Sequence, residues 1–318
     1  MKKNNDIQTS NAHQVVPGPD ARSLNRRRKK RMIHPFDIFN GLFLIFLMIV
    51  MVYPLLHAGF ASISNPDMLV GHRGLLLWPY QPVSLFAYES VFANRRIASG
   101  YQNTLIYLFL GTTINLVLTS MAAYTLSLKN LMFRNFIMFA VTFTMLFSGG
   151  LIPTFITVFN LGLVDTTLAM VLPSAINTFN LIIMITAFKS IPDSLHESAK
   201  IDGANDIFIF TRIVLPLSVP VLAVMTLYYG VFHWNSWFPA AIYLRSPARF
   251  PLQIILRDIL IHNTTDAMHL GGGAGDRVAI AASIRYATIM VATVPILFVY
   301  PFLQKHFTKG VMIGAIKG

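Results

Sequence analysis

Side chains able to do chemistry are few in this 318-residue chain, and four of its thirteen acids fall in one polar stretch, 189–215. Cysteine is absent, which removes thiol nucleophiles, disulfides and cysteine-ligated zinc or iron–sulfur centres. The glycine-rich run Gly271-Gly272-Gly273-Ala274-Gly275-Asp276 is not followed by Lys-Ser/Thr, so it lacks the spacing that cradles nucleotide phosphates. A T-V-G-Y-G ion filter is missing as well. No catalytic site, cofactor or metal is therefore expected on this chain. The chemistry of 189–215 is that of contact. Ser194 and Glu197 have capping-box spacing, in which the hydroxyl takes the N3 amide and the carboxylate returns to the cap's own N–H. A short helix should start there and run through Ala199, Ile201 and Asp202. Gly203 then offers a C-terminal cap or a place for close backbone approach. Phe208, Phe210 and Ile213 follow in a second apolar stretch that leads to Leu215-Pro216.

The elements that position this elbow are apolar. The chain is 54% hydrophobic and 12% charged, with mean hydropathy +0.58, whereas an ordinary soluble domain carries about a quarter charged residues. Crossing a hydrocarbon core takes about 20 apolar residues in a helix, because lipid offers no partner to an unpaired backbone group. Six stretches qualify, at about 38–60, 103–128, 135–159, 166–188, 216–244 and 278–303. They are continuous runs, unlike the roughly ten-residue alternating segments of a membrane β-barrel. The expected fold class is an all-α polytopic membrane protein with six transmembrane helices.

Net charge is +12, and half of it sits in 1–37, where nine Lys/Arg stand against three acids. That tail, with Arg26-Arg27-Arg28-Lys29-Lys30-Arg31, precedes a 23-residue apolar run, too long for the h-region of a cleaved signal peptide. Positive charge marks the cytoplasmic side, and an even number of spans puts both termini there. The basic hexamer reads as a topology and membrane-lipid contact rather than a nucleic-acid site, since no aromatics are interleaved with it. Residues 1–37 are expected to be a disordered basic tail, and 304–318 a cytoplasmic C-terminal tail.

The six stretches contain no Asp, Glu or Lys. Ion-coupled carriers hold protons or sodium on ionisable groups at membrane depth, so self-powered transport is not expected here. Arg285 is the one fixed charge, near the outer end of its span, where it could snorkel or meet an acidic substrate. His57 and His233 read as interfacial or packing residues. The energy source should be another protein on the cytoplasmic face.

At this point the sequence resembles a known family. Glu197-Ser198-Ala199-Lys200-Ile201-Asp202-Gly203-Ala204 followed by Ile213-Val214-Leu215-Pro216 is similar to the EAA loop of ABC-importer permeases of the maltose-type, carbohydrate-uptake branch. Ser198 stands where that pattern has Ala, a small-for-small change. Gly149-Gly150-Leu151-Ile152-Pro153, Trp234-Asn235 and the run 304–318 also match, and the resemblance extends over all six spans. It implies a permease in the bacterial cytoplasmic membrane, with a second homologous permease chain, two ABC ATPase subunits that use ATP and Mg, and an external solute-binding protein. The resemblance assigns ATPase coupling to Glu197, Ser198, Ala199, Asp202, Gly203, Ala204, Ile213, Leu215 and Pro216. A sugar path needs hydrogen-bonding and aromatic side chains at mid-membrane, and Asn177, Asn180, Tyr228, Trp234 and Asn235 are candidates, with Asn115 and Tyr229 beside them. Arg285 would suit a uronate. Each has a packing alternative, because Asn and Thr often bond neighbouring helices and Trp or Tyr often anchors at the interface. A non-sugar solute such as a peptide or glycerol phosphate, and a non-transporting scaffold or channel, stay open as other functions.

Overall fold

A computed structural model describes residues 35–71, 74–269 and 275–315, with side chains omitted at 70, 262–278, 299–300 and 302–315. The basic hexamer, most of the N-terminal tail, Gly271-Gly272-Gly273 and the side chains of 304–318 lie outside the described residues. Two compact units are present, Met1–Val52 and Tyr53–Gly318. In the first, the described part is the opening of helix α1 (Pro35–Ile63), whose side chains are nearly all exposed. A helix apolar on every side suits a lipid surrounding, where its backbone bonds are all internal.

The second unit is helical throughout, with no strand among the described residues. After α2 (Pro66–Gly71) and α3 (Phe86–Ala93) comes α4 (Arg95–Ser127), which begins earlier than the hydropathy alone suggests. Asn94 caps it, its Oδ1 accepting from the N–H of Arg96 at 3.0 Å. The apolar run 135–159 is broken: α5 (Arg134–Leu146) and α6 (Leu151–Asn160) meet at 113°. Gly150 takes the turn at φ +86°, which L side chains rarely adopt. The run 166–188 is also two pieces, α7 (Thr167–Val171) with a 3₁₀ turn at Leu172–Ser174, then α8 (Thr178–Lys189), bent by 56°.

The stretch 189–215 folds as α9 (Asp193–Ile201), α10 (Asp206–Ile209), a π-type turn at Phe210–Val214 and α11 (Leu215–Leu217). It enters α12 (Val219–Trp234) through an 82° bend at Ser218, flanked by Pro216 and Pro220. The expected long run 216–244 is thus split again, since α12 ends at Asn235 and α13 (Trp237–Tyr243) starts afresh. Residues 245–277 lie between the fifth and sixth apolar stretches, yet α14 (Leu252–His269) fills much of that segment before α15 (Gly275–Ala315). The reason is an amphipathic pattern: Leu252, Ile255 and Leu256 are buried while Arg257 and Asp258 face outward, so the helix packs on its neighbours without being apolar enough to span.

By length and composition α1, α4 and the Ala279–Phe298 part of α15 can cross a membrane singly, and the three bent pairs can do so as pairs. The spine of the unit is α4, which packs against α8, α12 and α14. Its buried side carries Gly100, Thr104, Gly111, Thr112, Asn115, Thr119, Ser120 and Ala123. Small side chains let helix backbones approach, and the small polar ones bond across the contact. Two apolar clusters result, one of α4, α14 and α15 around Tyr107 and Ile255, the other of α4, α8, α12 and the elbow around Met184 and Met225.

Candidate functional site

The elbow is shaped by local bonds. The expected capping box does not form: α9 starts two residues earlier, with Pro192 in place of Ser194 in the cap position and making no side-chain bond. Asp193 opens the helix, where a carboxylate meets the positive end of the helix dipole, and it pairs with Lys129. That ion pair anchors the start and leaves Ser194 and Glu197 exposed. The other end does close on Gly203. Its N–H donates to the Lys200 carbonyl at 3.0 Å, and the N–H of Ala204 donates to Ala199 at 2.9 Å, the paired bonds of a Schellman cap. Gly203 has φ +81°, with nothing within 4 Å of the position a Cβ would take. Asn205 then caps α10, accepting from the N–H of Phe208 at 2.8 Å, and Lys200 bridges the two helices to Asp206 at 3.3 Å.

Ala199, Ile209 and Val214 root this elbow in the second apolar cluster beside Phe188 and Met225, with Tyr124 of α4 against the ring of Phe210. Ala199, Asp202, Gly203, Ala204 and Ile213 border a groove of about 540 Å³ with Asn205 and Phe208. Glu197 and Asp202 are exposed and form no ion pair among the described residues. Ile201 is 85% exposed and Ile207 74%, so the elbow presents two large apolar side chains outward. Ser198 and Pro216 are exposed as well, and Leu215 is half-buried at the entry to α12.

A second site lies at the break between α7 and α8. Asn177 caps α8, its Oδ1 accepting from the N–H of Asn180 at 3.1 Å. The hydroxyl of Tyr229 on α12 accepts from the N–H of Asn177 at 3.2 Å and lies 2.7 Å from the hydroxyl of Thr119 on α4. Asn115 holds the other side of the break: its Nδ2 donates to the carbonyls of Ser174 at 2.6 Å and Ala175 at 2.9 Å, and its Oδ1 lies 2.7 Å from Nε2 of the fully buried His233. With the amide so oriented, the imidazole donates through Nε2. Gly111 makes room for that ring, since a Cβ there would stand 2.4 Å from it. The break opens on a cavity of about 680 Å³ lined by Asn177, Asn180 and Tyr228 together with Thr144, Ser148 and Phe232 among others.

Of the six path candidates, Asn177, Asn180 and Tyr228 therefore share one cavity. The other three do not border it. Trp234 is 7% exposed and packs against Tyr101 in the first apolar cluster, Asn235 caps the end of α12 by donating to the Val231 carbonyl, and Arg285 sits on α15 with its Nε buried. Asn115 and Tyr229 hold the break open. The signal for that role was the four-residue spacing of Gly111, Asn115 and Thr119, which puts all three on one face of α4.

Outside the apolar elements, Asp165 ties two loops. Its carboxylate accepts from the N–H groups of Arg245 and Ser246, both at 3.0 Å, and from the Ser246 hydroxyl, with Arg249 3.4 Å away. The Ser246 hydroxyl and then the two backbone donors hold its pKa down to about 2.

Residues 115–313 match the family described as "Binding-protein-dependent transport system inner membrane component". The chain belongs to this family. It is a transporter permease in kind, and its apolar helices are those of a membrane protein. Among its relatives is the polygalacturonan/rhamnogalacturonan transport system permease protein YtcP of Bacillus subtilis, 43% identical over 89% of this chain and 98% of that protein. Protein LplC of the same organism is 41% identical over 89% of this chain and 95% of its own length. A solved bacterial ABC transporter involved in the import of the acidic polysaccharide alginate has a chain 30% identical, with TM-score 0.78, covering 87% of this chain and 98% of that one.

Proposed function

We propose that this permease forms half of the translocation path of a bacterial ABC importer for carbohydrate, an oligosaccharide that includes acidic sugars. The observation that carries the reading is the chain-long similarity to YtcP, a polygalacturonan/rhamnogalacturonan permease. The cavity at the α7–α8 break supports it, because hydrogen-bonding amides and aromatic faces are what a sugar at mid-membrane requires. In this reading a second homologous permease supplies the other half of the path, and an external binding protein delivers the solute. Two ATPase subunits on the cytoplasmic face use ATP and Mg. The chain is multi-pass in the cytoplasmic membrane, with 38–303 as its transmembrane domain and both termini cytoplasmic.

Coupling runs through the elbow. Glu197 and Asp202 offer unpaired carboxylates to basic groups of an ATPase, Ile201 and Ile207 offer apolar contact, and the bare backbone at Gly203 lets the partner approach. Ala199, Ile213 and Leu215 transmit the load to α12, which touches the α7–α8 break through Tyr229 and reaches it from His233 by way of Asn115. The test is reconstitution of the full importer in proteoliposomes with enclosed ATP. ATP-dependent uptake of oligogalacturonides that requires the binding protein is expected. Uptake or conductance by this chain alone, or no carbohydrate uptake by the full assembly, would overturn the reading.

A further inference from the structure

We propose that the open end of α8 is a subsite for one carboxylate of the transported sugar, held by backbone N–H groups and an amide in place of a basic side chain. This rests on reading the α7–α8 cavity as the solute path. An interrupted helix presents carbonyls on one side of the break and N–H groups on the other. Here the two sides are treated differently. The carbonyls of Ser174 and Ala175 are consumed by Asn115 Nδ2, whereas the N–H groups of Thr178 and Phe179 have no partner among the described residues. The break is thereby biased toward donors.

A second observation points to the same place. Asn180 lines the cavity, is 6% exposed, and its side chain makes no hydrogen bond among the described residues. An amide enclosed this far yet left without a protein partner keeps its donors and acceptor free for a ligand in the cavity. Backbone donors at the start of a helix carry a positive partial charge of roughly half a unit, suited to an anion.

The choice of anion follows from what is missing. Among the described residues no Lys, Arg or His lines the cavity, and Arg285, the one fixed charge of the apolar runs, is elsewhere. A dianionic phosphate would be left without a full counter-charge. A single carboxylate spread over two oxygens matches two N–H groups, a neutral amide and a partial charge. Phe179, Phe232 and Tyr228 supply the apolar faces on which the sugar rings rest.

The experiment compares Asn177→Asp with Asn177→Ser in the reconstituted importer. Asp and Ser both cap a helix, so they differ chiefly in placing a negative charge at the proposed subsite. Initial uptake is measured for trigalacturonate and for its carboxyl-reduced, neutral counterpart, with binding protein in excess. The Asp-to-Ser ratio cancels the binding protein's own preference. That ratio should be at least about tenfold lower for the acid than for the neutral solute, which is about 1.4 kcal/mol of discrimination. Thr178→Asp against Thr178→Ser provides the same contrast at the first helical residue, where an acid favours the helix. Equal ratios for the two solutes at both positions would overturn the subsite and leave the importer reading intact. A wild-type importer that moves neither solute would overturn that reading and the subsite with it.

Discussion

The elbow and the α7–α8 break both hold a short helix in an irregular setting, but they satisfy its polar groups over very different lengths of chain. In the elbow the partners are near in sequence: Gly203 and Ala204 bond back to Lys200 and Ala199, and Asn205 to Phe208. At the break they are far: Asn115 reaches Ser174, and Tyr229 reaches Asn177. A locally closed unit keeps its shape while it moves as a whole, and can act as a handle. A unit closed from afar keeps its shape only while α4, α8 and α12 stay in register, and will feel any displacement among them.

This contrast can be broken from either side. The largest effect is expected at Gly203→Asp, which should abolish transport while the chain remains in the membrane at ordinary amounts. The φ of +81° costs an L residue about 1–2 kcal/mol, too little to unfold the unit, and the new side chain projects into open space where a partner would dock. Uptake together with a membrane blot decides it; normal uptake would remove the elbow from the coupling path. Next, Asn115→Leu leaves two carbonyls and the imidazole N–H unpaired, at on the order of 2–4 kcal/mol, so the melting midpoint of the purified permease should fall clearly. A midpoint within a degree of wild type would mean the break is held by packing instead. Tyr229→Phe removes one hydroxyl that faces both Thr119 and Asn177, and a loss of about 1 kcal/mol is expected in the same melt.

The smallest effect belongs to a loop remote from both regions. Asp165 has φ +61°, a conformation Asn also tolerates, so Asp165→Asn changes charge with little backbone penalty. The native carboxyl is held at about 2, below its ordinary 3.8, so its contribution is complete above about pH 4 and is lost as pH falls toward 2. Hydrogen exchange at the amides of Arg245 and Ser246 should be faster in the variant at pH 5, with the difference vanishing near pH 2. A difference that grew on acidification would reverse the sign and refute the assignment.

How much of this was legible beforehand follows the same division. The elbow could be read because its signals are local: a glycine after an apolar helix, Asp and Asn at starts, Pro216 at the mouth of α12. Even there, the cap lies two residues before the expected Ser194, because Lys129, 64 residues away from Asp193, selects the start. Hydropathy gave the apolar runs but not their breaks, since Gly149-Gly150, Pro173 and Ser218 barely dent an average over a long window. Trp234 looked like a path residue because type alone does not say which way a ring turns, and it turns into the core. Asn115 and Tyr229 stood among the path candidates with bonding between helices as their alternative, and the partners they bond could not be named without the fold. The helix α14 escaped notice because its charges argued against a span, and a helix that is neither span nor tail had no place in a hydropathy reading.

The contact between Gly111 and His233 reaches beyond this one chain. With the imidazole filling the space where a Cβ would stand, the volumes at positions 111 and 233 are a single choice made twice. Among relatives that keep α4 and α12 at this separation, the two positions should vary together: a larger residue at the first is admitted only with a smaller one at the second. The pair is a signature that can be sought by counting substitutions, with no further structure in hand.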